Sequence, residues 1–501
     1  MSELPVGWAE ATISEIASIS PKSVLDDDLE VGFVPMSHAP TNFRDPLRYE
    51  PRTWSEVKNA YTHFLDGDVI FAKVTPCFEN GKAALVSGLP NAAGAGSSEF
   101  HVLRPVASAV SPGYLLAVIK SADFLRDGEE SMTGAVGLRR VPRVFVENFP
   151  VRLPPTAEQK RIAQKLDELL AQVDALKARI GAIPALLKRF RQSVLAAATL
   201  GILTKEWRER QKHDFAESVT SLEFREKLAD KRAELWQGRG RYRPAITSEQ
   251  VEASEFLSIP DSWYRGTLDE VTWSVKDGPH FSPKYENAGI RFISGGNIRP
   301  AKIDLSTGKY ISKELHGELS LRCKPEYLDI LYTKGGTTGI AAVNRTKDDF
   351  NVWVHVAVLK PLPTALINPF FLELTLNSSE CYAQSQRYTH GVGNQDLGLT
   401  RMIKIVLPVP PEAEQTEIVR RVEQLFAFAD QLEAKVAVAK QRIDMLTQSI
   451  LAKAFRGELV PQDPNDEPAS VLLERIRTQR NVAPKPKRGR KPRSVAKKVF
   501  D

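Results

Sequence analysis

Eleven side chains in this sequence pair a hydrogen-bonding head with a place in or beside a glycine-rich loop. Lys73, Asn80, Lys82, Arg139 and Arg140 lie in the first part of the chain; His280, Lys284, Lys334, Arg345, Asn394 and Gln395 lie in the second. The chemistry such residues offer is recognition. Arg, Lys, Asn and Gln fit base edges, and Lys and Arg neutralise phosphates. Glycine lets backbone approach a partner closely. Any one of them could equally be a solvated surface charge, so the weight falls on Lys73 and Lys334, which occupy matched places in the two halves of the chain.

Bond-making constellations are missing from the sequence. "GGTTGI" (335–340) lacks the lysine of a phosphate-binding loop, and there is no H-E-x-x-H or paired C-x-x-C. The eight histidines are dispersed, so no metal site is expected. Asn368-Pro369-Phe370-Phe371 is similar to the Asn-Pro-Pro-aromatic motif with which adenine methyltransferases grip an extruded base. The matching place in the other half reads Ser111-Pro112-Gly113-Tyr114, however. A duplicated Ser/Asn-Pro is better explained as a helix N-cap followed by proline. Without a dinucleotide-type glycine fingerprint, the chain is not expected to bind a methyl donor.

Composition sets the frame. With 501 residues, 26% charged and 42% hydrophobic, the chain reads as several compact globular units. No run reaches the ~18 apolar residues of a membrane span, and "MSELPVGW" lacks the charge and apolar core of a signal peptide. Cys77, Cys323 and Cys381 are scattered and odd in number, which fits a reducing cytoplasm. Between Asn481 and Asp501 stand eight Lys or Arg and one Asp, a net of +7 against +6 for the whole chain. The other 480 residues therefore sum to −1, so nucleic acid would be met through local patches, not bulk charge.

The elements that must position these residues are written twice. "PPTAEQKRI" (154–162) returns as "PPEAEQTEI" (410–418), "LPVGWAEATISEIA" (4–17) as "IPDSWYRGTLDEVT" (259–272), "GDVIFAK" (67–73) as "LDILYTK" (328–334), and "SPGYLLAVIKSADF" (111–124) as "NPFFLELTLNSSEC" (368–381). The offsets stay between 255 and 261, as indels in surface loops allow. Each half is expected to be a strand-rich region followed by a long helix. Thr156 with Gln159 reads as a capping box at the first helix.

Apolar residues then recur at 4-3-4-3 spacing: Ile162, Leu166, Leu169, Val173, Leu176, Ile180, Ile183, Leu187, Phe190 and Val194. Adding 256 gives Ile418, Val422, Leu425, Ala429, Leu432, Val436, Ala439, Ile443, Leu446 and Ile450, all apolar. This heptad seam predicts two helices packed as an antiparallel coiled coil about a pseudo-two-fold axis. The globular domains would sit at its ends. Pro184 should kink or break the first helix. Leu170 and Phe426 fall outside the seam and are candidate partner-binding positions.

The expected fold class is therefore α+β with internal duplication. A first strand-rich domain (1–150), a long helix (151–204), a charged linker (205–254), a second domain (255–406), a second long helix (407–460), and a short helix with a basic tail (461–501) follow in order. "LEFREKLADKRAELW" in the linker reads as a short amphipathic helix, either a dock or a simple connector. The Pro-broken basic tail reads as disordered.

The chain resembles the specificity subunit of type I restriction–modification systems. In the first half the resemblance rests on "FAKVTPCFENGKAAL" (71–85) and "GSSEFHVLRP" (96–105). In the second it rests on "DGPHFSP" (277–283), "GIRFISGGNI" (289–298) and "TKGGTTG" (333–339). The helical regions add "LPPTAEQKRI" and "QSILAKAFRGELVPQDPNDEPASVLLERI" (448–476). The resemblance implies two target recognition domains, each reading one half of a split site in double-stranded DNA. It also implies helices that serve as a ruler and dock two methyltransferase subunits, with a separate restriction (motor-nuclease) subunit joining. The chain would be non-catalytic, with S-adenosylmethionine, ATP and Mg on partner subunits. Two departures are visible: "TGAVGLRRV" (133–141) matches "THGVGNQDL" (389–397) poorly beyond the glycines, and Leu328 stands where the family usually has Gly. The alternatives are an enzyme in its own right, disfavoured by the missing motifs, and a coiled-coil scaffold that reads no DNA.

Overall fold

The computed structural model describes residues 3–106, 109–135, 137–211, 221–236, 242–251, 259–391 and 395–482. The chain divides into two compact units, residues 1–181 with 437–501 and residues 182–436.

In the first unit, short apolar runs such as Val69–Ala72, buried at every position, build two four-stranded sheets. One runs Ala17–Ile19, Phe100–Pro105, Val69–Ala72, Ala83–Leu85; the other runs Glu50–Thr53, Glu30–Val34, Ala93–Gly96, Thr62–Leu65. The second unit repeats the first of these as Thr272–Asp277, Val356–Pro361, Ile330–Thr333, Ala341–Val343, in the same spatial order. Its other sheet keeps three strands, Lys309–Ile311, Ile290–Ile293 and Phe350–Val352. The parallel pairing in its middle matches that of Glu30–Val34 with Ala93–Gly96. Ser111 and Asn368 cap helices Pro112–Ile119 and Pro369–Leu376 through their side-chain oxygens, as the sequence predicts.

The two long helices are Thr156–Thr199 and Glu412–Phe455. Both are rich in Ala, Leu, Glu, Lys and Arg, strong helix formers. Of the kink or break expected at Pro184, the break does not occur: the first helix runs through it. The helices pack antiparallel in each unit. In the first, Lys177 meets Asp444, and Arg161, earlier in the chain, meets Asp466, later in it. In the second, Arg191 meets Asp430 and Glu433, and the Leu203 carbonyl accepts from Arg421.

The buried stripe departs from the strict heptad. Ile162, Leu166, Leu170 and Val173 are buried, Leu169 and Ile180 are half-buried, and Leu176 is exposed. Leu170, expected to face a partner, is thus a seam residue, only 2% exposed. A straight helix turns 3.6 residues per turn and drifts from a 3.5 repeat, which exchanges 169 for 170. On the second helix Ile418, Val422 and Ile443 are buried, whereas Leu425, Leu432 and Val436 are half-buried.

The "EQ" of the duplicated motif anchors each helix to a domain. Glu158 accepts the indole N–H of Trp8, and Glu414 that of Trp263. Gln159 accepts from the Ser111 amide and donates to the Pro154 and Ala109 carbonyls. Gln415 accepts from the Asn368 amide and donates to the Pro410 and Leu366 carbonyls. Gln159 therefore does not close the expected capping box with Thr156, whose hydroxyl donates to the Ala109 carbonyl. At the far ends, Gly201 and Gly457 take φ of +71° and +72°. A Cβ there would lie 2.5 Å from Pro260 Cγ or 2.7 Å from Pro5 Cγ, so the helix terminus closes on the domain strand that follows each proline.

The linker helix Ser221–Leu235 is a dock on the second domain. Leu228 is buried in the domain core, and the buried Arg232 donates to Asp269 and to the Thr272 carbonyl. Helix Ala469–Val482 plays the same part in the first unit, where Arg477 donates to Glu15 as Arg225 pairs with Glu270. The basic tail from residue 483 lies outside the described residues.

Candidate nucleic-acid interface

In the first domain the candidates gather at one end of the four-stranded sheet; in the second Lys334, His280 and Gln395 do so, whereas Arg345 follows strand Ala341–Val343 at the opposite end. In the first, strand Val69–Ala72 ends at Lys73, whose ammonium donates to the Ser98 carbonyl at 2.7 Å. A hairpin, Thr133–Ala135 with Leu138–Arg140, is tied to this strand end. The Val141 amide donates to the Lys73 carbonyl and the Thr75 amide to the Arg139 carbonyl. Gly134 and Gly137 take positive φ at the turn, and Leu138 stands exposed beside it. Asn80 is exposed in a turn closed by Gly81, while Lys82 is held by the Met36 carbonyl at 3.0 Å.

The two arginines of the hairpin differ. Arg140 grips both oxygens of Glu99, with contacts of 2.8 to 3.2 Å, and this partner holds the Glu99 carboxyl below its usual range. Among the described residues the Arg139 guanidinium has only long ionic contacts, 3.8 Å to Glu79 and 3.9 Å to Glu129.

The second domain repeats the wiring with other side chains. The Leu397 amide donates to the Lys334 carbonyl and the Gly336 amide to the Gln395 carbonyl. Arg139 and Gln395 therefore correspond, as do Arg140 and Asp396. Asp396 is engaged by the Lys334 ammonium at 3.1 Å, so the ion pair at this position has the reverse polarity of Arg140–Glu99. The polarity follows the turn opposite: Glu99 stands where the second domain has His355.

Lys334 is not a surface residue. It is 4% exposed, and its ammonium also lies 3.4 Å from Asp277 and 3.3 Å from the Val354 carbonyl. Asp277 further accepts from Arg322 and lies 3.2 Å from the His280 ring. Lys334 and its partners thus fasten the "DGPHF" loop to the bridged segment around Asp396, a structural task. Arg345 is likewise bound to the buried Glu373 and stacked on Phe370. Lys284 and the Gln395 side chain are exposed; Asn394 lies outside the described residues. Sequence reasoning missed the carboxylates Glu99, Glu373 and Asp396, which decide which cations are engaged. The charge reversal at offset 256 was the available signal.

On the long helices, Phe426 is half-buried against the Ile418–Val422 cluster, whereas Phe428 is 56% exposed. Leu186 is also exposed. Among the described residues no group of three His, Cys, Asp or Glu could hold a metal ion, and no helix is long and apolar enough to cross a membrane.

Comparison with known proteins gives one consistent answer. The type I restriction modification DNA specificity domain matches twice, over residues 5–185 and 260–438. The type I restriction enzyme EcoBI specificity subunit of Escherichia coli is 34% identical over 398 residues, covering 76% of this chain and 72% of that protein. The EcoKI specificity subunit of Escherichia coli strain K12 is 31% identical, covering 78% and 76%. Among solved structures, the HsdS subunit from Thermoanaerobacter tengcongensis aligns with a TM-score of 0.54 at 19% identity, over 91% of this chain and 98% of that one. A chain from a structure of the assembly and conformational transition of the type I R-M system aligns at 0.59 and 18% identity, over 91% and 100%. The duplicated domains and paired helices thus have a name: this chain belongs to the type I restriction modification DNA specificity family.

Proposed function

We propose that this chain reads a bipartite, asymmetric sequence in double-stranded DNA, one half-site per domain, and carries no bond-making chemistry itself. The observation that carries the reading is the pair of matched segments at 139–141 and 395–397: the same main-chain bonds to the sheet, but different side chains. A symmetric frame with unlike reading residues fits a non-palindromic site. The long helices separate the half-sites and dock two methyltransferase subunits, which a restriction subunit joins. S-adenosylmethionine, ATP and Mg belong to those partners, and the complex works in the cytoplasm. Mapping methylated adenines across the genome of cells with and without this gene tests the proposal. A split motif with unlike halves, lost with the gene, is expected; a palindromic or continuous motif overturns it.

A further inference from the structure

The two arginines of the first domain's hairpin and the Gln395-Asp396 pair of the second domain, where Asp396 is bridged to Gly335 and His390, divide the work in the same way. Adjacent residues of a strand point to opposite faces. In each domain one of the two faces the sheet and is locked there by an opposite charge: Arg140 on Glu99, Asp396 on Lys334. The other is less committed. Arg139 has its long contacts to Glu79 and Glu129, and the exposed Gln395 side chain has no hydrogen bond among the described residues. The lock sets the segment's position; the less committed residue is left to meet a ligand.

Resting on the reading that each domain contacts DNA, we propose that Arg139 and Gln395 are the matched specificity-determining residues of the two domains. Arg140 and Asp396 position them. A guanidinium pairs with guanine O6 and N7, and a carboxamide with adenine N7 and N6. The first half-site then holds a guanine read by Arg139, and the second an adenine read by Gln395. Arg139 competes better for a base edge than Arg140, which would have to leave a bidentate carboxylate first.

The test is adenine-methylation mapping with the complete complex carrying R139Q, Q395R or E99Q. R139Q should relax or change one base pair of the first half-site, with about 5- to 150-fold less discrimination there. The second half-site and the spacer should stay the same. Q395R should do the converse. E99Q, which frees the positioning arginine, should lower methylation at every site alike without changing the motif. Uniform weakening by R139Q with an intact motif would make Arg139 a phosphate contact and overturn the proposal, as would an unchanged map. A wild-type complex that yields no split motif would instead refute the DNA-reading function itself.

Discussion

The Trp263 indole donates to Glu414 at 2.8 Å, and Thr204 and Arg208 complete the same carboxylate. Its counterpart is poorer. Glu158 takes only the Trp8 indole, at 3.0 Å, and its second oxygen is buried without a partner. Val460 and Pro464 stand where Thr204 and Arg208 stand in the other copy. Burial accordingly raises the Glu158 carboxyl above its usual range.

The two clamps should therefore differ in mutational cost. Glu414→Gln removes the partner of a mostly buried guanidinium and should cost about 3 kcal/mol. Glu158→Gln has no such partner to strand and should cost less than about 1 kcal/mol. Urea unfolding of the two variants checks the ranking; equal losses would remove the asymmetry.

Acid should loosen the first domain through His101. Burial lowers this imidazole to about 4, against the bond it makes to the Val141 carbonyl beside the hairpin. A folded value below the unfolded one means stability is full above pH ~6.5 and falls as pH drops toward 4. The loss amounts to about 3 kcal/mol. His63 is lowered in the same direction, also chiefly by burial. His101→Gln should flatten the dependence, seen as a smaller shift of the urea midpoint between pH 7 and pH 5.

Partner docking should follow exposure. Phe428→Asp should weaken co-purification of the methyltransferase subunits about tenfold or more and leave the melting temperature near wild type. Leu170→Asp should lower the melting temperature instead, because it buries a charge in the helix seam. If Phe428→Asp leaves assembly unaltered, that face does not dock them.

Local patterns were legible in the sequence; convergence was not. The caps Ser111 and Asn368, the duplicated strands and the helix pairing are encoded by near neighbours or by period. Gln159 was misread because a capping box and a domain anchor share the same letters. Only the distant Ala109 and Ser111 backbone distinguishes them. Lys334 looked like Lys73, yet the carboxylates that bury it come from positions 277 and 396. Leu328 illustrates the reverse case. It departs from the glycine expected there and yet keeps a glycine-like φ of +73°, as its counterpart Gly67 does at +91°. The backbone demand outlasted the residue type, at a conformational cost of about 1 kcal/mol or more.

Gln159 and Gln415 hold their domains almost wholly by main-chain atoms, the amides of residues 111 and 368 and the carbonyls of 109, 154, 366 and 410. Every non-proline residue supplies those atoms, so the anchor is blind to side-chain identity. A recombination event that replaces the segment between two such anchors inherits this part of the attachment on arrival, provided that it keeps the tryptophan whose indole N–H Glu158 or Glu414 accepts. Main-chain anchoring of this kind leaves the surface that the domain presents free to vary without disturbing these bonds.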